Sequence, residues 1–417
     1  MQDHEKQRKA NFILLAGVLF NLAVGVLYAW SVLKKSMTAP IEEGGWGWTS
    51  AQAGFPYTLA IVCFAVSLLI GGKIQDKIGP RWVVTAGGAL AGLGLILAGV
   101  VGNNPMGVAI CFGVIAGSGI GMGYGCVSPP ALKWFHPSRK GIVSGVIVGG
   151  FGLAALYLAP LSTALLNNFG IEKTLIFLGA GIFVVATSIA QFINNPPEGY
   201  TPVAPAKLKE SAAKSHVYVD FSTKEMLGTQ RFYLMFIMYL LSASIGLMVI
   251  GNITKIASVQ LHITDKSILA MLVSFLAVTN TFGRVLGGLM SDKIGRGNAL
   301  FVVTVLQLLN MIGFVYYQSI PTLAIGIVLI GFCYGTLLSV FPALIVDQYG
   351  LKNYGANYGV LFLAWGLSGV VAPLMTDFIY DKTGEFTTAY IICAGMLGVV
   401  LLVSYLLKKD IAAHSHS

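Results

Sequence analysis

Charge is what this sequence lacks most. Only 17 of its 417 residues are Asp or Glu and 26 are Lys or Arg, 10% in all, where soluble domains carry about 25%. Cysteine is scarce as well. The five (Cys63, Cys111, Cys126, Cys333, Cys393) fall inside apolar runs without a CxxC pair, which sets aside disulfides and a zinc site. Histidine is confined to loops and tails (His4, His136, His216, His262, His414, His416), so no histidine relay crosses the apolar runs. The Gly-rich stretch 117–125 lacks the Lys-Ser/Thr of a phosphate-binding loop, and no ATP site is visible. No metal or cofactor is expected, and without clustered acid/base groups in the helices neither is an enzyme. With 15 Pro against 51 Gly the chain is not low-complexity. What remains is apolar residues, 56% of the chain at a mean hydropathy of +0.78. The class this leaves is a polytopic membrane protein. The polar head Met1–Ala10 leads into an apolar stretch too long for a signal peptide.

Apolar runs predict twelve membrane-crossing helices, at about 11–34, 50–72, 81–101, 106–132, 141–167, 173–193, 232–254, 266–290, 298–318, 321–346, 354–380 and 387–407. An N-terminus placed in the cytoplasm puts 19 Lys and Arg on the inner side and 6 on the outer. That asymmetry places both termini inside a cytoplasmic membrane. The net charge of +9 therefore sets orientation rather than attracting nucleic acid. One long polar segment, 194–231, divides the chain into bundles at 1–193 and 232–417. Within it, Ser222-Thr-Lys-Glu225 reads as a capping box opening a short surface helix.

The one cation with no place at a membrane surface is Arg284, with no acid within seven residues on either side. Arginine keeps its charge, and a mid-helix Arg costs roughly 2.5–3.5 kcal/mol on insertion scales, so such residues usually face a cavity and mark a substrate path. The chain also repeats itself. Gly72-Lys-Ile-Gln-Asp76-Lys-Ile-Gly79-Pro80-Arg81 follows the second helix, and Gly288-Leu-Met-Ser-Asp292-Lys-Ile-Gly295-Arg296 follows the eighth, 216 residues later. The pair resembles the signature loop of the major facilitator superfamily. The resemblance implies an all-α membrane protein of two pseudo-symmetric six-helix bundles that rock about a central site, with Asp76, Arg81, Asp292 and Arg296 in the gating loops.

Finer motifs narrow the family. Glu43-Gly-Gly-Trp-Gly-Trp48 looks like the signature of monocarboxylate porters, and Lys133-Trp-Phe-His-Pro137, with Gly141, Gly145, Gly149 and Gly152, is similar to their second signature. Pro196-Pro-Glu-Gly-Tyr-Thr-Pro202 and Glu225-Met-Leu-Gly-Thr-Gln-Arg-Phe-Tyr233 resemble the bacterial oxalate–formate branch. In that family the segment Asn280–Gly288 carries a carboxylate-binding Arg, which falls on Arg284. A guanidinium meets a carboxylate with two parallel bonds, and Asn280, one turn earlier, shares its face. At two site positions the resemblance fails: Asn280 stands where it implies the Asp of proton-coupled eukaryotic members, and Trp365 where it implies the Lys of oxalate transporters. The helix 1 Lys of eukaryotic members likewise falls near Val32. One cation suits a monoanion. Tyr124 and Tyr334, at comparable positions in the two halves, are candidate hydrogen-bonding groups; Phe362 and Trp365 form a candidate apolar wall; Asp377 is the candidate proton carrier. The expectation is a monomeric secondary transporter of a small monocarboxylate, coupled to protons. The alternatives are oxalate–formate-type exchange and a transporter-like carboxylate sensor.

Overall fold

The computed structural model describes residues 3–203, 220–263 and 265–414, and no strand occurs among them. The part of the linker at 204–219 and the tail beyond 414 lie outside them. Eleven runs are long and apolar enough to cross a membrane. One of these, Pro137–Ala190, has 54 residues, about 80 Å at helical rise and far beyond a bilayer. It breaks at Gly170, whose φ of 76° and ψ of 179° no helix tolerates. The result is twelve membrane-length helices among the described residues: α1 Asp3–Thr38, α2 Ser50–Ile78, α3 Pro80–Val101, α4 Pro105–Trp134, α5 at 140–169 and α6 at 171–190. They continue with α7 Gln230–Gln260, α8 Lys266–Ile294, α9 Arg296–Phe314, α10 Ile320–Tyr349, α11 Tyr354–Thr383 and α12 Thr387–His414.

Local chemistry accounts for the ends. Thr49 accepts from the Gln52 backbone N–H at 3.2 Å while the Gln52 side chain accepts from Thr49 at 2.9 Å, closing a capping box on α2. Ser222 and Glu225 form the same box before the one-turn helix Thr223–Leu227. That box holds the Glu225 carboxyl below its ordinary range, because the Ser222 backbone and hydroxyl both bond its charged form. Thr229 caps α7. Between α2 and α3, Gly79 has φ 88°, and between α8 and α9, Gly295 has φ 87°. Both turns need a residue without a Cβ. The expected first helix begins earlier, at Asp3, and takes a 3₁₀ turn at Gly25–Ala29 before ending at Thr38.

The chain forms two compact units. The first comprises residues 1–137, 150–220 and 350–362; the second comprises 138–149, 221–349 and 363–417. Each therefore contains a short helical piece from the other half of the sequence. In the second unit α8 lies on α10 backbone to backbone. A Cβ on Gly283 would meet Phe332 Cα at 2.7 Å, and one on Gly331 would meet the Asn280 nitrogen at 2.9 Å. In the first unit α4 lies on α2 the same way, with Gly117 against Ala60 and Gly121 against Phe64, each at 2.7 Å from Cα. Small residues permit this approach in membrane helices, where packing rather than water drives association.

Candidate functional site

Arg284 lies at the closest part of the α8–α10 contact. A Cβ on Gly335 would stand 2.8 Å from the Arg284 nitrogen, and one on Gly145 of α5 would stand 2.9 Å from the Arg284 carbonyl carbon. The backbone is thus held on two sides, and the side chain is 1% exposed. Its Nη1 donates to the Val148 carbonyl at 2.5 Å and its Nε to Asn280 Oδ1 at 3.3 Å. The helical i, i+4 relation between Asn280 and Arg284 sets the second bond. A burial this deep leaves the guanidinium its full charge and no bulk water.

Tyr334 and Trp365 meet in the same unit, the indole N–H donating to the Tyr334 hydroxyl oxygen at 2.8 Å. Tyr334 is 3% exposed and precedes the Gly335 that packs on Arg284. The remaining two candidates, Tyr124 and Phe362, lie in the first unit, where Tyr124 has ring centroids of Phe64, Phe151 and Phe362 at 5.3, 5.1 and 6.0 Å. Tyr28 packs on Phe151 and Tyr358 on Phe362. The six candidates therefore fall into three pairs, Arg284 with Asn280 and Tyr334 with Trp365 in the second unit, and Tyr124 with Phe362 in the first. Phe64 and Phe151 escaped the sequence reading. A signal for Phe64 existed: it stands 216 residues before Asn280, and Gly121 packs on it as Gly335 packs on Asn280. The same glycine register sets α4 and α10 214 residues apart and places Tyr334 opposite Ile120. Tyr124 and Tyr334 are therefore one helical turn away from being counterparts. Asp377 lies in α11, but its side chain is outside the described residues.

The repeated loops form two matching clamps. Asp76 accepts from the Gly355 and Ala356 backbone N–H groups at 3.2 and 3.0 Å. Asp292 accepts from Gly141 and Ile142 at 2.8 Å each. In both, a carboxylate takes the orphan donors and positive dipole end of a helix, α11 or α5. Close glycines bring the chains together: Gly72 against Gly355, and Gly141 against Gly288. Beyond this the clamps differ. Arg296 joins Asp292 at 2.5 Å and Asp347 at 2.9 Å, and the buried Lys140 adds a bond to Asp347 at 3.3 Å. Arg81 instead bonds Gln191 at 2.9 and 2.8 Å. The register explains this, since Pro80 occupies the position of Arg296 and one residue turns a helical side chain by about 100°.

The Glu43–Trp48 motif is an outer turn with structural duties. Gly44 and Gly47 have φ of 80° and 65°, and Trp48 donates to Asn103 Oδ1 at 2.5 Å.

The family model that matches is that of the Major Facilitator Superfamily, over residues 12–320 and 300–416. The chain is similar to the oxalate:formate antiporter of Oxalobacter formigenes, 27% identical over 388 residues, covering 92% of this chain and 87% of that one. It is 24% identical over 379 residues to monocarboxylate transporter 13 of Rattus norvegicus, covering 90% and 83%. Its fold is similar to that of the Escherichia coli transporter FucP, with a TM-score of 0.70, 14% identity, and coverage of 95% and 98%.

Proposed function

The chain belongs to the Major Facilitator Superfamily, and on that footing we propose that it carries a small monocarboxylate, lactate- or pyruvate-like, in symport with protons by alternating access. It is a multi-pass membrane transporter; the substrate and the coupling are the proposal. The observation that carries it is Arg284, a permanent cation inside a membrane helix, 1% exposed and holding a backbone carbonyl. A backbone carbonyl offers one neutral acceptor, whereas a carboxylate offers a full negative charge and can meet a guanidinium with two parallel bonds. A substrate carboxylate therefore competes favourably for the place that Val148 holds, with Asn280 as its neighbour. The relatives support the class, since one is named for oxalate and formate and another for monocarboxylates.

Proton symport follows from charge. A monoanion entering alone works against an inside-negative potential at about 2.3 kcal/mol per 100 mV, and a proton moving with it cancels that cost. Asn280 cannot titrate, so another group takes the proton, with Asp377 the proposed carrier. We place the protein in the cytoplasmic membrane with both termini inside, on the distribution of Lys and Arg. A second reading, exchange of one carboxylate for another, is favoured by the likeness to the oxalate:formate antiporter.

The test is uptake of labelled L-lactate into proteoliposomes with no anion inside, with and without an inward proton gradient. Accumulation that follows the gradient supports symport. Uptake only after loading formate or another monocarboxylate inside establishes exchange. No uptake of any monocarboxylate under either condition removes the substrate class.

A further inference from the structure

In helix α11 a hydroxyl from α7 bonds both ends of one rung of the backbone ladder, and the rung after it has no donor. In an unbroken helix the Ala372 N–H donates to the Ser368 carbonyl. Here the Ala372 N–H donates to Ser244 Oγ at 2.9 Å, and that same hydroxyl donates to the Ser368 carbonyl at 2.7 Å. The next rung is missing for a covalent reason. Residue 373 is proline, which has no N–H to give to the Gly369 carbonyl. Gly366 and Gly369 flank the break and lower the local helix propensity further. Ser244, Ser368 and Ala372 are fully buried, so water does not supply the missing partners and the Ser244 hydroxyl does.

We propose that Ser244 is the pin of a hinge in α11 at residues 366–373, and that α11 bends there during transport. The location supports this. Residues 354–362 of α11 belong to the first compact unit, their first N–H groups held by Asp76, while residues 363–383 belong to the second. The proposed hinge lies just beyond the point where α11 passes from one unit to the other, and a helix bends where a proline or an inserted side chain disturbs its ladder. The Ser368 hydroxyl also donates to the Trp365 carbonyl at 2.6 Å, and Trp365 donates to Tyr334. The pin therefore lies one turn of α11 from the Trp365–Tyr334 pair. Ser244 acts through α11 and is a positioning residue. The inference rests on the chain being a transporter and not on which acid it carries.

The experiment is hydrogen exchange on the full chain in lipid nanodiscs, with uptake measured beside it. In the wild type, peptides covering 366–373 exchange about tenfold or more faster than those covering 355–363, as local opening requires. Pro373→Ala gives the Gly369 carbonyl a donor and slows that exchange. Ser244→Ala leaves a buried N–H and C=O that close on each other, because each unsatisfied group costs about 1–3 kcal/mol. It too slows the exchange, and it lowers the maximal uptake rate about tenfold with KM unchanged, whereas Ser244→Thr keeps the hydroxyl and both wild-type behaviours. Uniform exchange along α11 that Pro373→Ala does not change overturns the hinge, as does wild-type turnover in a folded Ser244→Ala protein. If Ser244→Ala does not fold, the Pro373→Ala exchange decides alone. Exchange needs no substrate, so its result separates failure of the hinge from failure of the monocarboxylate reading.

Discussion

Arg284→Lys is the substitution that isolates what a guanidinium does here. Arg284 donates from two different nitrogens, Nη1 to Val148 and Nε to Asn280, so the fork is used as a fork. Lysine retains the charge but has one nitrogen on a flexible stem. A bound carboxylate would lose one of its two charge-assisted bonds, each worth about 1.5–3 kcal/mol. That corresponds to a loss of about 10- to 150-fold in affinity. Arg284→Ala removes both, about 3–6 kcal/mol, and should abolish measurable binding at millimolar substrate. The fold should survive either change, because the glycines of α5 and α10 pack on the Arg284 backbone and not on its side chain. The assay is equilibrium binding of labelled L-lactate to purified protein, with thermal unfolding as the control for folding. A Lys variant that binds within twofold of the wild type refutes the two-bond geometry. An Ala variant that still binds refutes the site.

Three further outcomes are expected. Asp292→Asn places an amide against two backbone N–H groups and takes from Arg296 one of its two carboxylates, so it should lower the melting temperature more than Asp76→Asn, whose carboxylate has longer bonds; equal shifts would mean that the Arg296–Asp347–Lys140 network adds nothing. Trp365→Lys should move selectivity toward dicarboxylates in a competition assay, by adding a second cation beside Tyr334; unchanged selectivity would show that Trp365 does not line the substrate path. The depressed Glu225 carboxyl makes the Ser222–Glu225 box a stabilising contact that is fully present above the ordinary carboxylate range. It is lost as pH falls through the lower folded-state value, so amide protection at 222–227, taken relative to the intrinsic exchange rate at each pH, should fall at acid pH in the wild type and not in Glu225→Gln.

The helices were legible because a membrane helix has to be apolar for its whole length, and the sequence has little else. Caps at Ser222 and the turns at Gly79 and Gly295 were legible for a related reason: each is decided within four residues. What the clamps hold was not. Asp76 reaches Gly355 across 279 residues, and Asp292 reaches Gly141 across 151; an aspartate at a helix end tells the reader that it seeks donors, not whose. Arg81 and Arg296 look interchangeable in the sequence, yet a single inserted proline sends one of them to Gln191. Arg284 was conspicuous because a lone charge in an apolar run is costly. Phe64 and Phe151, which pack on Tyr124, were hidden because aromatic residues in such a run cost nothing and therefore announce nothing.

The two clamps show how far the repeat constrains itself. Around Asp292 stand Arg296, Asp347 and Lys140, two anions and two cations in contact. At the corresponding positions around Asp76 stand Pro80, Lys133 and Tyr354. The arginine has become proline, the aspartate lysine and the buried lysine tyrosine, yet the cluster still balances, with Lys133 the cation in electrostatic reach of Asp76. Buried charges are tolerated when paired and are strongly destabilising when a partner is removed. Any one of the three changes alone would have left an unbalanced charge at a helix end, of one unit for the arginine or the lysine and two for the aspartate; together they leave Asp76 facing Lys133. The same logic says which single substitutions each clamp tolerates: those that preserve the balance, such as Lys133→Arg, and not those that copy one member of the other clamp, such as Lys133→Asp.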